Sequence, residues 1–73
     1  MKEEFEIRTM GFGELAQMYL PNIQPKSSSV RLRNWINASP DLRKSLESLG
    51  FKRRSRLLTP AMVALIVNRL GAP

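Results

Sequence analysis

The sequence predicts a mostly helical α+β domain in the order β-α-α-α-β-α, a helix-turn-helix-like core carrying a short two-stranded antiparallel ribbon. Three observations predict it. Apolar residues recur at helical spacing in four separate stretches, beginning at Phe12, Leu32, Leu42 and Val63. Proline opens three of those stretches, at Pro25, Pro40 and Pro60, the position where a helix needs no N–H from the residue. Two further apolar-bearing stretches, around Phe5 and Leu58, lack that period and must pair with each other, since an isolated strand leaves its backbone groups without partners.

Taken in chain order, Glu4-Phe5-Glu6-Ile7-Arg8 alternates polar and apolar, which at period two puts Phe5 and Ile7 on one face of a short strand. Phe12, Leu15, Ala16 and Tyr19 then follow i, i+3, i+4, i+7, and Pro21 ends the pattern, so a two-turn helix is expected with Gly13, Glu14 and Gln17 facing solvent. Pro21 to Ser29 is linker-like. The second helix begins after Pro25, with Lys26 or Ser27 near its start, and runs to about Ala38. At 100° per residue, Leu32, Trp35, Ile36, Ser28 and Ser29 share its core side. Lys26, Val30, Arg33, Asn34 and Asn37 share the other, with Arg31 flanking. Ser39-Pro40-Asp41 supplies a hydroxyl cap, a proline and a first-turn acid for the third helix; Leu42, Leu46 and Leu49 stripe it, and Gly50 is placed to end it with a positive φ. Phe51 to Leu58 reads as an exposed arm or short strand ending in a buried Leu57 or Leu58. Thr59-Pro60 opens the last helix, with Val63, Ile66, Val67 and Leu70 as its core stripe and Gly71 with Pro73 as its stop.

Composition bounds the function. The chain has 73 residues, formal charge +6, no cysteine and no histidine, so residues 1–73 are expected to form a single domain with no disulfide frame, no thiolate or imidazole metal site and no histidine acid–base chemistry. Of its six carboxylates, Glu3, Glu4 and Glu6 crowd one end, Asp41 and Glu47 have ordinary helix-surface roles and Glu14 remains without a partner for acid–base work, and Gly11-Phe12-Gly13 lacks the further glycine of a dinucleotide site. We therefore expect no enzyme, no metal and no cofactor, and no small-molecule ligand is evident. The acidic start and the absence of an 18-residue apolar run argue against a secretory signal or a membrane span; the expectation is a soluble cytoplasmic protein.

The charge is concentrated. Residues 25–56 hold Lys26, Arg31, Arg33, Arg43, Lys44, Lys52, Arg53, Arg54 and Arg56 against only Asp41 and Glu47, whereas residues 1–24 are net acidic and the last seventeen add only Arg69. The first two helices and their Pro-containing turn have the outline of a helix-turn-helix, whose second helix fits a major groove. Lys26, Ser27, Val30, Arg31, Arg33, Asn34 and Asn37 then form the contact face; Arg31, Arg33 and Asn34 suit base edges and Val30 a thymine methyl. The bland alternative for that face is a solvated polar surface. Lys52-Arg53-Arg54-Ser55-Arg56 packs four cations into five residues, and their mutual repulsion is relieved by a polyanion. A phosphate ridge or a narrow minor groove fits such an arm, against a solubilising strand edge, RNA or anionic lipid. Trp35 and Tyr19 are expected in the core instead of stacked on bases. Met62 and Leu65 point outward from the last helix beside Ala61 and are candidates for a homodimer contact.

The segments Gly13-Glu14-Leu15-Ala16-Gln17-Met18-Tyr19-Leu20-Pro21, Leu32-Arg33-Asn34-Trp35-Ile36-Asn37 and Leu58-Thr59-Pro60 with Ile66 and Leu70-Gly71 resemble a family of short uncharacterised bacterial proteins, largely from gut anaerobes, classified as a domain of unknown function. The likeness spans nearly the whole chain and brings no activity with it. More loosely, the element order resembles excisionase and MerR-type winged helix-turn-helix DNA-binding domains, which implies a basic wing after the helix pair; here a third helix, Pro40 to Leu49, intervenes. The reading that follows is a double-stranded DNA-binding protein, a transcriptional regulator or mobile-element accessory factor. Lys26, Lys52, Arg53, Arg54 and Arg56 would meet phosphates. The alternative is a non-catalytic interaction module or dimeric adaptor for an acidic partner. The duplex reading needs the two cationic segments on a common side.

Overall fold

In the computed structural model, which describes residues 5–52 and 55–73, the elements are β1 (Met10–Gly11), α1 (Phe12–Tyr19), α2 (Pro25–Asn37), α3 (Pro40–Ser48), β2 (Leu57–Leu58) and α4 (Pro60–Leu70). The expected order β-α-α-α-β-α is present, mostly helical with a small antiparallel ribbon. Proline occupies the first helical position of α2, α3 and α4. Thr59 caps α4 through its Oγ1, which accepts the Met62 N–H at 3.3 Å. Ser39 stands at the cap of α3 without a side-chain cap bond, and Gln24 precedes α2, whose first turn holds Lys26 and Ser27 as expected.

The ribbon is antiparallel, with Met10 opposite Leu58 and Gly11 opposite Leu57, and the Phe12 N–H extends it by donating to the Arg56 carbonyl at 2.8 Å. This corrects the first strand. The alternation at Glu4–Arg8 is not a strand over its described residues 5–8, because the partner β2 is only two residues long and its buried member, Leu58, faces Met10. Ile7 is left 45% exposed. Of the pair Leu57 and Leu58, Leu58 is the buried one and Leu57 is exposed.

The core is built from Met10, Phe12, Leu15, Ala16, Leu32, Ile36, Leu42, Leu46, Phe51, Leu58, Met62, Val63 and Ile66. α1 packs chiefly against α2, and α3 against both α2 and α4. Small residues let α1 and α2 approach: a Cβ on Gly13 would meet Ser29 Oγ at 3.4 Å, and the buried Ser28 returns its hydroxyl to the Pro25 carbonyl at 3.0 Å. That close seam displaces Trp35. Expected in the core, it is 38% exposed and meets Tyr19 edge-on, ring centroids 6.2 Å apart. Tyr19 is half-buried; its hydroxyl donates to the Gly71 carbonyl, tying α1 to the end of α4, and burial raises its pKa above the usual phenol value. Gln17 also departs from its expected solvent position. Half-buried, it donates from Nε2 to the carbonyls of Leu20 (2.9 Å) and Ile23 (2.8 Å) and so clamps the turn between α1 and α2.

Gly50 ends α3 with φ +100°. The Phe51 N–H donates to the Leu46 carbonyl and the Gly50 N–H to that of Glu47, both at 3.0 Å, a Schellman arrangement that packs buried Phe51 beside buried Leu46. The reversal leaves Leu49, expected in the core stripe, 43% exposed. A left-handed residue with a Cβ is strained, so Gly50→Ala is expected to lower stability by about 1 kcal/mol, seen as a lower urea midpoint at an unchanged slope; an unshifted midpoint would show that this turn relaxes at no cost.

The stripe of α4 is also turned from its expected setting. Met62, Val63 and Ile66 are buried, while Val67 and Leu70 are only half-buried. α4 leaves β2 through the single residue Thr59, which brings its first turn over the ribbon and draws Met62 inward.

Candidate nucleic-acid interface

On α2, Lys26, Val30, Arg33 and Asn37 fall at i, i+4, i+7 and i+11 and form one stripe beside the buried arc of Ser28, Leu32 and Ile36. Lys26, Val30 and Asn37 are exposed and Arg33 is half-buried. Ser27 and Asn34 are exposed on the adjoining, most outward arc. Arg31 is exposed too, but two residues at 100° each place it roughly 160° around the helix from Arg33. The expected contact face therefore divides, and Arg31 shares the Trp35 flank.

Arg33 does not stand free in solvent. Its guanidinium carbon lies 5.2 Å from the centroid of the Phe12 ring, a cation–π distance, and Phe12 in turn packs against Phe51 with ring centroids 6.2 Å apart. Beside it, Arg33, Asn37, Arg43 and Phe51 line a cleft of about 340 Å³. Arg43 is fixed there by two partners: its Nε donates to Glu47 Oε2 at 3.0 Å and its Nη1 donates to Asn37 Oδ1. Arg43 is not among the contact residues the sequence predicts, since the leucine stripe of its own helix explains α3 without it. The turn at Ala38–Ser39 brings it against α2, and no signal within either helix reports that juxtaposition.

The arm begins at Phe51, which is buried instead of exposed. Lys52 and Ser55 bond twice, Lys52 N–H to Ser55 Oγ at 2.8 Å and Ser55 N–H to the Lys52 carbonyl at 3.0 Å. Lys52 and Arg56 are exposed; Arg53 and Arg54 lie outside the described residues. The two cationic segments meet at one residue, Phe12. Its ring carries Arg33 and touches Phe51, and its N–H is bonded to the Arg56 carbonyl.

Glu47 pairs with Arg43 within this set, whereas Glu14 is occupied elsewhere. Glu14 Oε2 pairs with Arg8 at 2.8 Å and Oε1 accepts the Gly11 N–H at 3.3 Å; the Arg8 donor, then the Gly11 N–H, hold its carboxyl below the ordinary range. Asp41 approaches Arg69 only at 3.9 Å and is largely exposed.

The expected dimer contact is half corrected. Met62 belongs to the core at 4% exposure, one turn too close to the ribbon to reach outward. Leu65 is half-buried and lines, with Ile7, Leu49, Ala61 and Ala64, a shallow apolar groove of about 770 Å³ between α3 and α4. Among the described residues no three acidic side chains gather as a metal site, and no helix is long and apolar enough to cross a membrane.

A protein-family model described as a domain of unknown function (DUF4248) matches residues 6–73. No curated protein and no solved structure matches the chain.

Proposed function

The chain belongs to the DUF4248 family, and from that premise, which assigns no activity, we propose that it binds duplex DNA by occupancy, as a transcriptional regulator or a mobile-element accessory factor. α1, the Leu20–Gln24 turn and α2 act as a helix-turn-helix pair, with the arm after α3 as a wing. The observation that carries the reading is the junction at Phe12, where the cationic flank of α2 and the basic arm share one aromatic residue. Local potential, more than net charge, steers a polyanion, and Lys26, Arg33, Arg43, Lys52 and Arg56 supply it from both sides of that junction. Asn34 and Ser27, exposed on the outward arc of α2, are the side chains for base edges; Val30, 49% exposed, suits a thymine methyl.

Fluorescence anisotropy with a random duplex over about 50–200 mM salt tests it. About five neutralised phosphates give a slope of log affinity against log salt near −4 to −5. A slope near zero contradicts the proposal. A second reading is a non-catalytic interaction module, dimeric or docked on an acidic protein. Leu49, Leu65 and Ala61, apolar yet uncovered on the α3–α4 side, favour it; sedimentation at a dimer mass with no duplex retention would select it.

A further inference from the structure

We propose that the cleft between α2 and α3, formed by Arg33, Asn37, Arg43 and Phe51, is a seat for a single phosphate group. The inference deepens the duplex-binding reading, on which it rests for its nucleic-acid source, and it moves Arg33 from a base edge to a phosphate.

The cleft is rich in donors and poor in acceptors. The Arg33 side chain makes no hydrogen bond among the described residues, although its guanidinium carries five N–H groups and is half-buried on the Phe12 ring. The cation–π contact holds the guanidinium over the ring without using any of those donors. Arg43 spends Nε on Glu47 and one Nη1 donor on Asn37, which leaves its Nη2 group free of either contact. Because Asn37 accepts through Oδ1, its amide N–H pair is unspent by that bond. Among the described residues, Glu47 is the one carboxylate paired with this set, and it is half exposed. Two guanidiniums, one amide and one carboxylate leave a net positive, partly desolvated recess whose lining residues hold more unspent donors than acceptors. A tetrahedral oxyanion complements that arrangement through charge-assisted, forked bonds. At about 340 Å³ the recess lies at the lower end of the roughly 300–1,000 Å³ typical of small-ligand sites, ample for a phosphate with part of what it is attached to. Phe51, 6% exposed, forms the floor and offers no face for a base to stack on, so the recess reads a phosphate and not a nucleobase.

The phosphate has two possible sources, the backbone of a nucleic acid or a free phosphorylated small molecule, and one titration separates them. The Arg33 and Arg43 Nε–H and Asn37 side-chain amide NMR signals of the full chain are followed against inorganic phosphate, against chloride at matched ionic strength, and against a short duplex. The seat predicts saturable shifts with phosphate in the millimolar range and none with chloride. It also predicts about tenfold weaker phosphate binding for Arg33→Lys, which keeps the charge and loses the fork. Asn37→Asp, an exposed change that leaves the core intact, is expected to abolish saturation. If the duplex moves the same three signals, the source is the nucleic-acid backbone. If phosphate saturates them while the duplex leaves them unmoved, the seat stands and the source is a small phosphorylated molecule. If phosphate and chloride act alike, or Arg33→Lys binds phosphate as wild type does, the seat is overturned, and duplex binding through Lys52 and Arg56 is judged by the salt slope alone.

Discussion

Arg33→Gln combined with Arg43→Gln is expected to weaken duplex binding by at least about 100-fold at fixed salt and to flatten the salt slope by about two. Each guanidinium removed from a phosphate loses a charge-assisted bond worth roughly 1.5–3 kcal/mol, and each neutralised phosphate contributes about 0.9 to the slope. Glutamine keeps a polar head of similar reach, so the change removes charge more than volume. The variant should remain folded, since Arg33 is half-buried and Arg43 keeps only surface partners, and the cation–π contact on Phe12 contributes about 0.5–1 kcal/mol. Circular dichroism and a melting curve provide that control. A folded variant with an unchanged slope would remove both residues from the interface. By contrast Arg31→Gln, on the opposite flank of α2, should change the slope by less than either.

Leu32→Ala carries the largest expected loss of stability, about 2–5 kcal/mol. Leu32 is fully buried at the centre of the α2 arc, between Ser28 and Ile36 and facing α1. Deleting its branched end leaves a cavity that the tight Gly13–Ser29 seam has little freedom to collapse. A domain of this length is stable by about 4–10 kcal/mol, so the variant should lose half or more of its stability and shift its urea midpoint accordingly. Leu49→Ala is the matched control: at 43% exposure it should fall within about 1 kcal/mol of wild type. Equal costs at the two positions would mean that the core is not organised around α2 as described.

The parts of this fold that could be read from residues alone are those fixed by local chemistry. Pro25, Pro40 and Pro60 open helices because a first-turn proline loses nothing, and Gly50 closes one because only glycine takes its φ of +100° cheaply. What escaped local reading was set by neighbours distant in sequence. Met62 and Val67 are equally apolar, and only the short link through Thr59 to the ribbon decides which is buried. The alternation around Ile7 looked like a strand, yet strand status depends on the length of the partner, and β2 offers just Leu57 and Leu58. Trp35 lies at the rim of the core, 38% exposed against Tyr19, although its own helix's period places it inside. The same limit applies to the site. Arg33, Asn37, Lys52 and Arg56 were visible as excess positive or polar residues without a core role, whereas Arg43 joins them only across the α2–α3 turn. Gln17, on an apparently solvated face, was legible only once the carbonyls of Leu20 and Ile23 were seen to converge on it.

The central claim is that the cationic flank of α2 and the arm work as one surface. Backbone amide shift mapping on addition of a short duplex at low salt tests it most directly. The account predicts that Arg33, Asn37, Arg43, Lys52 and Arg56 move together, with one common titration curve, and return to their free positions as salt is raised. Changes confined to Ala61, Leu65 and the rest of the α3–α4 groove, or two groups titrating with separate curves, would contradict it.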